Sequence, residues 1–266
     1  MADNNWLAQG APATGAGTRT DTGVIDQGLR SYMGRVYNYM AAGIALTGLV
    51  AYLVYSLAVT SDPTLAAQGM RPLSRGLFYT AFGKTLFGTP LVWVLMLAPL
   101  AMSFFLAFRI YKMSVTGAQI AFWMFAAVMG ASLSTIFIRF TGESITKVFF
   151  ITAATFGALS LYGYTTKKDL SGWGTFLFMG VIGLIIASLV NIFLQSPAMQ
   201  FAISCIGVLV FAGLTAYDTQ QIKDHYYEVA HDVALATKGA SMGALNLYLD
   251  FINMFTSMLQ LFGDRE

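Results

Sequence analysis

Long uncharged stretches, separated by short charged segments, occupy most of this chain. Residues 36–61 form 26 consecutive positions without a charged side chain, and residues 85–108 form 24. The longest stretch, residues 170–217, contains 48 positions and is interrupted near its middle by the sequence Gln-Ser-Pro. A helix needs about 20 predominantly apolar residues to cross about 30 Å of hydrocarbon. The pattern therefore predicts membrane-spanning helices, with a pair of them in the longest stretch.

The complete pattern predicts an all-α integral membrane protein in which residues 31–266 form a single bundle of seven transmembrane helices. Residues 1–30 are polar and rich in Ala, Gly and Thr, so we expect a disordered tail there. The last helix either crosses the membrane or is re-entrant, and the pattern leaves both alternatives open. The approximate predicted spans are 36–59, 91–108, 117–138, 148–165, 174–194, 199–217 and 240–262.

Composition and charge agree with the membrane class. Charged residues make up 11% of the chain, against about 25% in soluble domains. The sequence contains no basic cluster with interleaved aromatic residues, so no nucleic-acid partner is expected. Nine of the 15 lysines and arginines fall on the N-terminal side of the predicted bundle, which places the N-terminus in the cytoplasm. The short polar tail without a targeting signal favours a multi-pass protein of a bacterial inner membrane, with an organellar membrane as the alternative.

Small and polar residues follow one face of the last predicted helix. They recur at alternating steps of four and three positions, as the helical repeat of about 3.6 residues requires. The set is Gly239, Gly243, Asn246, Asp250, Asn253, Ser257 and Gln260. Lipid cannot satisfy such groups, so this face must point into the protein or into a watery cavity, although its small and amide residues could serve only as helix-packing contacts. The last helix is therefore predicted to lie centrally, with Asp250 at its middle.

A second acid, Asp218, follows the uncharged sixth span. It is either the polar end of that span or one side of a lined cavity that continues through Thr215. Because the sixth and seventh spans are consecutive, Asp218 and Asp250 can approach each other. Two adjacent carboxylates cannot both ionise cheaply, so such a pair titrates as a coupled unit. It could sense pH, hold the bundle shut by sharing a proton, or bind a hard cation such as calcium.

Basic and metal-ligating residues near these acids are few. Arg109 ends the second span and is either an ordinary cytoplasmic flank or a latch paired with one aspartate, with Lys112 as the other candidate. His225 and His231 are six positions apart, a poor spacing for a transition-metal site on a helix. No cofactor is expected, beyond calcium as a possible permeant or bound ion.

Two segments of the chain resemble a known family. The sequences AYDTQQIK at 216–223 and LYLDFINMF at 247–255 are similar to the two C-terminal signatures of the Bax inhibitor-1 family. Weaker similarity covers residues 133–145 and 167–180. The resemblance implies a bundle whose last helix is surrounded by the other six, in agreement with the polar face.

The resemblance also implies a function, namely a calcium leak that responds to pH. Asp218 and Asp250 would form the pH-sensing and ion-gating pair, and a basic residue near the end of the second span would latch to it in some members. Arg109 is the nearest match to that residue. The polar residues that would face a pore are Asn246, Asn253, Ser257 and Thr215.

The expected function is therefore non-enzymatic, with the lipid bilayer, calcium ions and protons as partners. One alternative is a regulatory or scaffolding membrane protein without transport. Another is an intramembrane aspartyl protease, because two aspartates on consecutive helices are the minimum for that chemistry. The segment Leu247-Tyr248-Leu249-Asp250 lacks the flanking glycines of such proteases, and no Pro-Ala-Leu motif follows it.

Overall fold

The computed structural model describes residues 17–69, 73, 76–109 and 112–265 of the chain, with side chains from Gln27 onward. Helices dominate the described part. Two short strands, β1 (Val59–Thr60) and β2 (Phe78–Tyr79), pair antiparallel, with Val59 opposite Tyr79. The α-helices are α1 (Gly17–Ala58), α2 (Ala81–Phe87), α3 (Leu91–Arg109), α4 (Val115–Leu133), α5 (Ile136–Arg139), α6 (Gly142–Thr165), α7 (Ser171–Leu194), α8 (Pro197–Val229) and α9 (Val233–Phe262).

Several helices begin at a hydroxyl or carboxyl side chain that the sequence supplies. Ser114, Thr141 and Ser196 precede α4, α6 and α8, and each accepts a hydrogen bond from the backbone N–H three positions on, at 3.1 to 3.3 Å. Asp232 does the same for α9, where its carboxylate accepts from two backbone N–H groups. Such caps satisfy donors that have no partner within the helix.

In the described part of the chain, five helices are long and apolar enough to cross a membrane: residues 27–58 of α1, α4 together with α5, α6, α7 and α8. The bent pair of α2 and α3, with 61° between its members, makes six if it counts as one span. The prediction of an all-α membrane protein is thereby confirmed. Helix α9 falls outside this group because its polar face lowers its average hydropathy.

The first helix is longer than predicted. It begins at Gly17 and ends at Ala58, so residues 17–30 belong to the same helix as the first span. The chain there lacks proline, so the helix can extend beyond the apolar segment. The remainder of the predicted tail, residues 1–16, lies outside the described residues.

The last two helices also differ from the predicted spans. Helix α8 continues to Val229, so Asp218 lies within it and not at its polar end. Helix α9 begins at Val233 and is unbroken for 30 residues, a length of about 45 Å. Beyond its end, the N–H of Asp264 donates to Oγ of Ser144 at 3.0 Å, at the start of α6. Since α9 reaches the opposite end of the bundle, its course favours the crossing alternative over the re-entrant one.

Helix α9 forms the centre of the bundle, as its polar face predicts, but it makes its main contacts with four helices and not with six. These are α1, α4, α6 and α8. Helix α3 packs on α4, and α7 packs on α8, so both belong to an outer layer.

Candidate functional site

The polar face of α9 packs along α8, which runs antiparallel to it. At one end, a Cβ added to Gly243 would lie 3.0 Å from the side chain of Ile222. Toward the other end, a Cβ added to Gly207 would lie 2.6 Å from Oγ of Ser257. Small residues thus let the two backbones approach closely, as they do in many membrane helix pairs. The acids of the two helices lie between these contacts.

The structure brings Asp218 and Asp250 together. Their side chains are direct neighbours across the α8–α9 interface. Asp250 is only 4% exposed, whereas Asp218 is half-buried. A carboxylate can only accept hydrogen bonds, so a bond between two carboxyl groups requires a proton on one of them. Two carboxyl groups therefore lie side by side inside the helix bundle.

No basic side chain neutralises this pair in the described part of the chain. Neither Asp218 nor Asp250 forms an ion pair with a described lysine or arginine. Oδ2 of Asp250 is fully buried, and no N–H or hydroxyl group of the described residues donates to it. The two candidate latches, Arg109 and Lys112, are exposed at the end of α3 and just beyond it. The structure therefore does not bring either of them to the acids.

The other predicted site residues lie on α8 and α9, and two of them donate hydrogen bonds within their own helices. Thr215 is completely buried and donates to the backbone oxygen of Phe211 at 2.8 Å. Asn253 is half-buried and donates to the backbone oxygen of Leu249 at 2.8 Å. Asn246 and Ser257 are also half-buried. Of the four, Ser257 lies against Gly207 of α8, whereas Thr215 and Asn253 bond within their own helices.

A calcium ion needs more ligands than two carboxyl groups supply. Calcium prefers about six to eight oxygen ligands. The described residues contain no cluster of three or more His, Cys, Asp or Glu side chains suited to a metal ion. His225 lies near the end of α8, where its Nδ1 is 3.2 Å from Oε2 of Glu228. The pair of Asp218 and Asp250 could therefore supply only part of the coordination of a passing cation.

A chain of three hydroxyl groups, which the sequence analysis missed, lies beside the acids and joins α1, α6 and α8. Oη of Tyr37 is 2.7 Å from Oγ of Ser160, which is 2.9 Å from Oγ1 of Thr219. Thr219 itself donates to the backbone oxygen of Thr215 at 2.7 Å. Because each hydroxyl has one proton, the donors must run from Tyr37 to Ser160 to Thr219. We call Tyr37, Ser160 and Thr219 the hydroxyl chain.

Two further residues of the 216–223 segment fasten the connection between α6 and α7. Gln220, which is 5% exposed, accepts from the N–H of Leu170 at 2.7 Å and donates to the backbone oxygen of Lys168 at 2.8 Å. Lys223 donates to the backbone oxygen of Tyr164 at 3.1 Å. The run of polar residues that follows Asp218 in the sequence was a signal for both Gln220 and Lys223. Tyr37 and Ser160 gave no such signal, because each is a single polar residue within an apolar span.

The fold and this site define a multi-pass α-helical membrane protein with an acidic pair between its last two helices. The family profile described as "Inhibitor of apoptosis-promoting Bax1" matches residues 29–266. The chain therefore belongs to the Bax inhibitor-1 family, as its two signatures predicted.

Bacterial relatives match nearly the whole chain. A protein of Caulobacter vibrioides is 44% identical over 260 residues, which cover 98% of this chain and 97% of the relative. The inner membrane protein YbhL of Escherichia coli is 41% identical over 240 residues, or 90% of this chain and 94% of the relative. A membrane protein of Streptococcus pyogenes is 32% identical over 91% of this chain and 96% of its own length.

Proposed function

We propose that this protein is a cation leak channel, with calcium as its main permeant ion, controlled by the proton that Asp218 and Asp250 share. The protein would act as a seven-span protein of a bacterial inner membrane, with its N-terminus in the cytoplasm. The observation that carries the proposal is the contact of two carboxyl groups inside the bundle without a described basic partner.

The proton would control the contact between α8 and α9. While one proton is shared, the pair carries a single negative charge and its hydrogen bond draws the two helices together. Without the proton, two like charges would face each other where little water can solvate them. The carboxylates would then repel, or a cation would replace the proton as their partner. Loss of the proton would therefore replace the hydrogen bond between α8 and α9 with two carboxylates that attract a cation.

Calcium flux into proteoliposomes, measured with an enclosed indicator over a series of pH values, tests the proposal. We expect the wild-type flux to change with pH and the dependence to vanish in Asp218→Asn and in Asp250→Asn, because an amide keeps the shape and a hydrogen-bond donor without titrating. Asp224→Asn is the matched control, since Asp224 is an exposed acid of the same helix.

The control variant should keep the wild-type pH profile, and all variants should elute from gel filtration as the wild type does. A wild-type pH profile in Asp250→Asn would show that the pair does not control the flux. Wild-type proteoliposomes that leak no faster than empty ones at any pH would show that the protein is not a calcium leak.

A further inference from the structure

A lateral cleft lies between α1 and α6, two of the helices that are long and apolar enough to cross a membrane. Its volume is about 640 Å³, and the bond between Tyr37 and Ser160 crosses it at 2.7 Å. Along α6 the lining extends from Phe156 to Tyr164, about 12 Å of helix length. Since α6 ends at Thr165, the cleft lies in the half of the bundle nearest that end. Its length is close to the thickness of one hydrocarbon leaflet, about 15 Å.

The shape of the cleft depends on two glycines. A Cβ added to Gly34 of α1 or to Gly157 of α6 would meet no atom within 4 Å. The space beside both positions is therefore open. Most of the remaining lining is apolar, including the side chains of Met33, Met40 and Phe156. An open, narrow and apolar cleft in contact with lipid suits an acyl chain better than water.

The mouth of the cleft is positively charged. Arg30 belongs to its lining, and Lys223 reaches the same region, where it donates to the backbone oxygen of Tyr164. Lys167 and Lys168 follow α6 directly and are exposed. These four basic residues have three acids near them in sequence, namely Asp26, Asp169 and Asp224, and Asp169 accepts from the N–H of Ser171 at 2.8 Å. Such clusters of basic residues beside a membrane helix attract anionic lipid headgroups.

We propose that the α1–α6 cleft is a binding site for an anionic phospholipid, with an acyl chain between the two helices and the phosphate beside Arg30. A phospholipid is the one molecule always present at this surface that combines an apolar chain with a negative headgroup at the required distance. The lipid site does not depend on the proposed cation leak, because a protein with or without transport activity would bind the lipid in the same way.

Fluorescence quenching by brominated lipids tests the site directly. The variant Leu161→Trp places an indole on the lining of the cleft, at a position that is 62% exposed. Phe105→Trp is the matched control, because Phe105 of α3 is also exposed and lies four residues before its helix end, as Leu161 does. Each variant is compared with the wild type, whose four tryptophans give the background.

Vesicles contain brominated phosphatidylglycerol or brominated phosphatidylcholine at equal content. We expect L161W to be quenched more strongly by the anionic lipid, whereas F105W is quenched equally by both. In the L161W background, Arg30→Gln should lower the preference about fivefold, the factor expected for one basic residue near the surface. Arg35→Gln, which changes an exposed arginine of α1 outside the lining, should lower it less.

A cavity-filling variant locates the lipid. Gly157→Leu in the L161W background should abolish the preference, whereas Gly183→Leu, on α7 and equally free of neighbours within 4 Å, should preserve it. Equal quenching of L161W by the two lipids would overturn the proposal. A preference that survives Gly157→Leu would place the anionic lipid outside the cleft and overturn it as well.

Discussion

Helix α7 is strongly apolar but mostly exposed, whereas helix α9 is more polar but mostly buried. Helix α7 has the highest hydropathy of the membrane-capable helices, yet its buried residues are only Leu177 and Asn191. Helix α9 is more polar and does not belong to that group, yet 16 of its residues are buried. The more apolar helix therefore lies outside, and the helix with an acid at its middle lies inside.

The difference follows from the solvent. An apolar side chain gains little by leaving lipid, because the lipid is as apolar as the protein interior. A carboxyl or amide group gains a great deal, because lipid offers it no hydrogen bond. Burial in this bundle is therefore determined by where the polar face lies. Hydropathy identifies its outer helices, and the polar face identifies its centre.

Truncating an aromatic residue of each helix gives the largest expected contrast. Tyr248 of α9 is fully buried, contacts the rings of Phe122 and Phe125, and lies 2.6 Å from Oγ1 of Thr47. Its replacement by alanine should lower the free energy of unfolding in mixed micelles by about 3–5 kcal/mol, through lost packing. Phe193 of α7 is 87% exposed, and Phe193→Ala should change the free energy of unfolding by less than about 0.5 kcal/mol.

The variant Tyr248→Phe separates the ring from its hydroxyl group. It keeps the packing and removes only the hydrogen bond to Thr47, so the expected loss is about 1 kcal/mol. If Tyr248→Ala and Phe193→Ala cost the same, the position of a helix in the bundle would not determine what its aromatic residues contribute.

The attachment of α7 gives a smaller contrast. Because α7 buries few side chains, we expect it to depend on the polar contacts of Gln220 with the backbone at Lys168 and Leu170. Gln220→Leu removes both hydrogen bonds and should cost about 1–3 kcal/mol, since each bond contributes about 0.5–1.5 kcal/mol. Hydrogen exchange should show the loss first at the start of α7.

Gln221→Leu is the matched control for this attachment. Gln221 is half-buried and makes only a 3.3 Å contact with Oγ of Ser171, so its replacement should have a much smaller effect. Equal protection of α7 in the two variants would show that the helix is held by other contacts.

Much of this arrangement could be predicted from the sequence. Uncharged stretches located the apolar spans, and the period of the polar face placed α9 centrally and brought Asp250 toward Asp218. These signals repeat along a helix, so they can be recognised without any knowledge of tertiary contacts. The family signatures reinforced them at 216–223 and 247–255.

Other features depend on contacts between residues that are distant in sequence. The bond between Tyr37 and Ser160 joins positions 123 apart, and nothing local distinguishes either residue. The position of Arg109 depends on how α3 packs, and α3 lies against α4 in the outer layer. The helical residues 17–30 were missed because a polar composition does not separate a solvated helix from a tail.

The smallest expected contrast concerns the acids that begin α7 and α9. The pKa of Asp232 is lowered chiefly by hydrogen bonds from the N–H groups of Leu235 and Ala234, and the pKa of Asp169 is lowered chiefly by the N–H of Ser171. A carboxyl group with a lowered pKa in the folded state stabilises that state above its unfolded pKa, about 3.9, and loses the effect as the pH falls through the folded value.

Asp232→Asn keeps an oxygen acceptor but cannot titrate. The difference in thermal midpoint between the wild type and Asp232→Asn should therefore be constant near neutral pH and shrink below about pH 4. Asp169→Asn should show the same sign with a smaller amplitude, because one backbone N–H contacts Asp169 and two contact Asp232. An Asp169 effect larger than that of Asp232 would mean that α7, despite its exposed side chains, depends on its first turn more than α9 does. The polar connection before α7 would then contribute more to its position than packing on α8.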